Sequence, residues 1–401
     1  MNWISKQRSI LILLLLSFSL LGCKIDGNKS SSKPNSKTPP TSSIASNAID
    51  ETDKQLFTRT AKLFELFGSQ SEKIWNAKYR LDKRPIMYVR HEGGKDKYAY
   101  LINHPKAADL DTSKQVEMPS GVKLPPVYRV TRIPSAEKIA KIENFDFQHS
   151  IAGTNTFMMK YNPIGSSIGD PVGAPDSDGW TIFAAHEGFH DFQVEGKYWK
   201  EPLNNGQDIA GYPLNAQNIS LIMLENAIII KAMDLVKGNA DVSLLDISIR
   251  QLIAVRQSRI NKWADVRLLD LVQEHGEGTA RYIERRLGSL LALKDVNLTS
   301  SHSHFLAIPD KRIRENLAFG RFYETGAAIC QLLDAKGIEW QVKVEGGTPQ
   351  YDLLAGHFAM TQLEIDTSLA QAKSEYDFAN MQIKAEKYAQ TAASEPKDIF
   401  K

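Results

Sequence analysis

His186, Glu187 and His190 stand in the order H-E-x-x-H. Residues four apart share one face of an α-helix, so both imidazoles can reach a single metal ion while Glu187 points at a water on that metal. The expected chemistry is hydrolysis, with Zn²⁺ as cofactor and Glu187 as general base. A zinc site of this kind takes three protein ligands and keeps its fourth position open, so a third ligand has to come from elsewhere in the chain.

Three glutamates compete for that place. Glu225 lies in residues 221–230, which are apolar almost all round. Its carboxylate is therefore expected to be buried and to need a metal, a hydrogen bond or a cation, with Arg256 or Arg259 on the next helix as the candidate cation. Glu274 and Glu277 belong to the run E-H-G-E-G-T-A-R-Y-I-E, residues 274–284. At about 100° per residue, Glu277 flanks the apolar stripe of Val272, Ala280, Ile283 and Leu287, while Glu274 points nearly opposite. Periodicity thus ranks Glu277 above Glu274 and leaves Glu225 open. Arg281, one turn after Glu277, is a competing surface partner for it. Gln193, Asp191 and Glu284 are candidates to orient the histidines from behind, as is Glu225 if it is not itself a ligand. His302, His304 and His357 have no supporting spacing and receive no role.

The elements that must position these residues are legible in outline. Apolar residues recur at helical spacing over 56–79, predicting an opening helix or two. Short β-prone runs follow at 86–89, 98–102, 127–133 and 157–161, separated by Gly, Pro and Asn. A Gly/Pro/Asp-rich loop, 162–179, is expected to line a cleft before the helix that carries His186. The remainder reads as helices at 181–195, 215–237, 242–260, 264–292, 311–335 and 361–392, with no internal repeat. The predicted class is α+β: an N-terminal helix and small mixed or antiparallel sheet (51–180) on one side of a mostly helical portion (181–401), with the cleft between them.

A chain of 401 residues, 42% apolar and 24% charged, is long enough for one large or two ordinary domains. Its net charge of +2 provides no basic field for nucleic acid, and part of that excess sits at the N-terminus. There, Lys6 and Arg8 precede a short apolar run that ends in Leu20-Leu21-Gly22-Cys23. This ending resembles the lipobox of bacterial lipoproteins, which implies cleavage before Cys23, a lipid on its sulfur and a membrane anchor. Lys24 in place of an aspartate points to the outer membrane, facing the periplasm. Residues 24–50 are rich in Ser, Lys, Pro and Asn and read as a disordered tether. With Cys23 lipidated only Cys330 remains, in an apolar helical stretch, and it is expected to be a buried core residue.

Residues 277–284, E-G-T-A-R-Y-I-E, resemble the E-G-x-A-x-Y-x-E segment of the gluzincin metallopeptidases, including their aminopeptidase branch. Residues 323–328, Y-E-T-G-A-A, are similar to the Y-x-x-G-x-x segment of the same family. The three motifs occur in the family's order. The resemblance implies a zincin-like fold, Glu277 as third zinc ligand and Tyr323 as donor to the transition-state oxyanion. Two features depart from the family. Between His190 and Glu277 lie 86 residues, far more than is usual there and room for two inserted helices. No G-x-M-E-N segment precedes the metal motif, so aminopeptidase specificity is not implied. The expected function is a zinc metallopeptidase acting on peptide or protein substrates at the cell envelope. Competing readings are a zinc amidase acting on cell-wall peptide and a non-catalytic envelope lipoprotein on a zincin-like scaffold.

Overall fold

A computed structural model describes residues 49–163, 178–197, 209–239, 241–397 and 399. The signal segment with Cys23, nearly all of the tether and most of the loop 162–179 lie outside the described residues. The fold is mixed α/β, 61% helical, with one six-stranded mixed sheet. Among the described residues no helix is long and apolar enough to cross a membrane.

The first helix, α1 (Glu51–Ile74), starts five residues before the apolar periodicity does, because the Asp50 side chain accepts a hydrogen bond from Asp53 N and caps it. Asp53 itself is buried and ties α1 to the sheet. Its carboxylate accepts from the hydroxyls of Tyr98, Tyr100 and Tyr161 at 2.9, 2.7 and 2.6 Å and from Arg90 at 3.1 Å.

The strands are β1 (Ile86–Glu92), β2 (Lys95–Ile102), β3 (Ser113–Gln115), β4 (Val127–Val130), β5 (Phe145–Ile151) and β6 (Thr154–Tyr161). They lie in the order β3-β4-β2-β1-β6-β5, with β1 and β6 parallel and all other neighbours antiparallel. One face of the sheet, with Tyr88, Tyr100, Phe157 and Tyr161, joins the main core against the helices. The other, with Met87, Val89, Leu101 and Met158, is covered by Ile139 and Ile142. The edge strand β5 was not among the β-prone runs, because it carries Asp146, Gln148 and His149. In the fold Asp146 and the His149 Nδ1 satisfy each other at 2.9 Å. Between them the β5–β6 register slips and Gln148 takes a positive φ of 52°.

The helical portion comprises α2 (Asp178–Gly196), α3 (Ala216–Lys237), α4 (Val242–Lys262), α5 (Ala264–Gln273), α6 (Thr279–Leu290), α7 (Arg321–Ala335), α8 (Gln350–Phe358), α9 (Gln362–Glu375) and α10 (Phe378–Ser394). Asn215, Asp241 and Thr361 cap α3, α4 and α9, Thr361 in a reciprocal box with Glu364. Two predicted helices are interrupted. The run 264–292 contains a π turn at Glu274–Gly278, and the run 311–335 contains another at Asn316–Gly320. The tail splits at Asp377, whose φ of 47° leaves the right-handed helix. The main core extends from α1 and the sheet through α2 to α6 and α7. The cysteine Cys330 is buried within it.

Candidate metal centre

A surface helix keeps its polar residues outside, but α2 is buried on every side, and besides Thr181 five larger polar side chains go inside with it. His186, Glu187, His190, Asp191 and Gln193 are all buried among Trp180, Phe183, Ala184 and Phe189. Burying that many polar groups is costly unless each finds a partner.

The histidines find Glu277. His190 Nε2 lies 3.0 Å from both His186 Nε2 and Glu277 Oε2, and His186 Nε2 lies 3.5 Å from Glu277 Oε2. Among the described residues this is the one group of three with metal-ligating atoms so close together. Bonds of about 2.0–2.1 Å in tetrahedral geometry put donor atoms about 3.3 Å apart, and the three separations bracket that value. Two imidazoles and one carboxylate also form a donor set suited to zinc.

The π turn brings Glu277 there. Its wider turn shifts the helix phase, so Glu274 and Glu277 both face inward and the even 100° spacing no longer applies. The carbonyls of the π turn are taken by side chains. Gln350 Nε2 donates to Glu274 O at 2.6 Å, Thr279 Oγ1 to His275 O at 2.7 Å, and Gln193 Nε2 to Gly276 O at 3.1 Å. Gly278 then lies against Gly326 of α7, where an added Cβ would fall 2.5 Å from the Gly326 Cα. This backbone-to-backbone approach requires glycine on both helices. It also brings Tyr323, one turn before Gly326, over the site: its ring stacks on His186 with centroids 6.0 Å apart and planes 13° apart.

Each histidine is held from behind. Gln193 Oε1 lies 2.6 Å from His190 Nδ1 and accepts its proton, which turns Nε2 toward Glu277. His186 Nδ1 lies 2.5 Å from Glu284 Oε1. Arg281 does not pair with Glu277; it bonds Glu284 and Glu324 instead. Asp191 touches neither histidine. It accepts from Gln148 N at 3.0 Å and from Arg84 at 2.5 Å, fixing the β5 bulge to α2.

Glu225 is not brought to the histidines, as ligand or as orienting residue. Its carboxylate is held by Arg256 and Arg259, with Arg321 at 3.5 Å, in a buried cluster that also contains Asp270 and Glu274. Glu274, expected to point outward, is buried because Arg256 receives it. His302, given no role from sequence, lies 2.7 Å from Glu324 Oε1. No spacing signal marks that contact, since it joins a loop to α7. His304 and His357 meet Phe305 and Phe358 edge to face, and neither belongs to the triad.

Charge separates the two buried networks. Three guanidiniums, Arg256, Arg259 and Arg321, balance the carboxylates of Glu225, Asp270 and Glu274. Behind His186 the buried carboxylates of Glu284 and Glu324 meet a different pair of guanidiniums, Arg281 and Arg285. Burial by itself would lower the His186 imidazole, but Glu284, Glu277 and Glu187 raise it to about 10. Burial would raise the Glu277 carboxyl, but His190 and His186 bring it down to about 2. Burial, with Glu277 and Glu187 alongside, pushes the Tyr323 phenol well above its ordinary value, so it stays a donor.

The same carboxylates make the fold acid-sensitive. Burial opposes ionisation of Glu225 and Glu324, yet Arg256, Arg259 and Arg321 around the first, and Arg285, His302 and Arg281 around the second, hold both well below the usual range. As the pH falls the unfolded chain therefore takes up these protons before the folded one does. Their stabilisation is complete above the ordinary glutamate value of about 4.3 and is expected to be lost progressively below it. Urea midpoints measured from neutrality down to about pH 3 should fall steeply in that lower range, and a flat profile there would contradict the assignment.

Comparison of the chain with protein-family models, with curated proteins and with solved structures finds no match.

Proposed function

We propose that this chain is a zinc-dependent metallopeptidase of zincin-like architecture, held at the cell envelope by a lipid on Cys23. The observation that carries the proposal is the convergence of His186, His190 and Glu277 at tetrahedral donor spacing inside a buried site. When bound, zinc supplies Lewis acidity, lowering the pKa of a water toward neutrality and polarising a carbonyl. With a metal bound, His186 and His190 would be neutral and would turn Nε2 toward it, each ring oriented through its Nδ1 by Glu284 or Gln193. Glu187 is a carboxylate beside His186 and Tyr323 that is not one of the triad donors, and it acts as general base. It takes a proton from the attacking water and passes it to the leaving amine. The Tyr323 hydroxyl donates to the oxyanion as charge develops there.

The proposal is tested on the purified chain by metal analysis and by hydrolysis of a peptide library beside purified peptidoglycan. About one zinc per chain is expected, with cleavage that stops when a chelator removes the metal and returns on adding zinc. A chain without stoichiometric zinc refutes the proposal. Cleavage of peptidoglycan alone would make the enzyme a cell-wall amidase.

A further inference from the structure

The support behind His186 extends well past Glu284. Arg281, one turn earlier on α6, bonds Glu284 Oε2, and its Nε lies 3.1 Å from Glu324 Oε2 on α7. Glu324 Oε1 in turn takes Arg285 and lies 2.7 Å from His302 Nδ1. All five side chains are buried, and the Arg281 guanidinium also sits over the Phe305 ring, 4.5 Å from its centre.

A glutamate has several rotamers to choose from, and a free Glu284 would spend only part of its time aimed at His186. Arg281 removes that freedom. Its planar fork holds one oxygen of Glu284 and leaves the other facing His186 Nδ1. Glu324 holds the fork from the opposite side, so Arg281 cannot swing away. Glu324 is also the residue after Tyr323, so the same turn of α7 places the ring stacked on His186.

We propose that Arg281, fixed between Glu284 and Glu324, is a positioning residue for the metal: it holds the carboxylate that orients His186 and thereby sets the triad's affinity for a divalent ion. The inference rests on the zinc reading above and extends it to residues outside the three ligands. Lysine at 281 keeps the charge but, as a point charge on a flexible stem, does not bridge two carboxylates.

The test measures the zinc dissociation constant of the full chain by competition with a chromophoric chelator, for wild type, Arg281→Lys, Glu284→Gln and the double variant. Visible spectra of the cobalt-loaded forms and unfolding of the zinc-free forms accompany it. Arg281→Lys is expected to weaken zinc about 10–100-fold and to alter the cobalt bands. In the Glu284→Gln background the same change should cost less than about twofold, because its route to His186 is already gone. Should Arg281→Lys not fold, Glu324→Asp keeps the charge and shortens the reach, with the same expectation. Affinities within about twofold of wild type in a folded variant, or losses that add in the double variant, overturn the inference and leave the zinc reading standing. A wild-type chain that takes up no zinc overturns both.

Discussion

Glu187→Gln is expected to keep the metal and lose the reaction. Glutamine has the shape of glutamate and fits the same buried place on α2, and Glu187 is not one of the three donor atoms' owners, so zinc content should stay near one per chain. What disappears is the proton acceptor. General-base catalysis contributes about 10²–10⁴-fold, so kcat should fall by that factor, equivalent to about 3–5 kcal/mol of barrier. His190→Ala is the contrasting variant, because it removes a ligand and should lose zinc and hydrolysis together. Metal analysis and kcat on the same preparations separate the two. Full hydrolysis by a zinc-loaded Glu187→Gln chain would sink the assignment of Glu187 as base.

The second large effect is on stability, away from the metal. Glu225→Gln keeps the volume but removes one of three negative charges facing Arg256, Arg259 and Arg321, all buried. Breaking one partner out of a buried ionic group leaves an uncompensated charge and costs about 3–5 kcal/mol, a large share of a typical domain's stability. The cluster joins α3, α4, α5, the start of the π turn and α7, so the loss should appear as global unfolding at lower urea, with an unchanged slope. A shift of less than about 1 kcal/mol would mean that water reaches the cluster and screens it. Replacing Arg256 by methionine in the same chain should recover part of the loss, since removing both partners spares the uncompensated charge.

The site was legible in sequence to the extent that its relations are local. Helical spacing put His186 and His190 on one face; of Gln193, Asp191 and Glu284, the candidates to orient them, Gln193 and Glu284 stand behind the rings, whereas Asp191 is bonded to Gln148 and Arg84. Glu225 was marked as buried and in need of a partner, and its partners are the two arginines named from sequence. An even 100° step does not separate Glu277 from Glu274, because both are buried. A π turn adds a residue to the turn, and an even angular step carries no sign of it. Strand β5 escaped notice for a related reason: its buried Asp146 and His149 look like solvent-facing residues until they are seen to pair.

By itself the sequence determined the paired histidines with their adjacent carboxylate, the predominance of helix, and the burial of Glu225 and Cys330. These depend on neighbours within a turn or two, where periodicity speaks directly. Only the tertiary structure decided which glutamate meets the histidines, where Arg281 spends its charge, and why Gly278 and Gly326 have no side chains. Those outcomes depend on contacts between residues 43 to 87 positions apart, on the phase shift of a π turn, and on the charge balance of a closed interior. None of these is a property of any single stretch of chain.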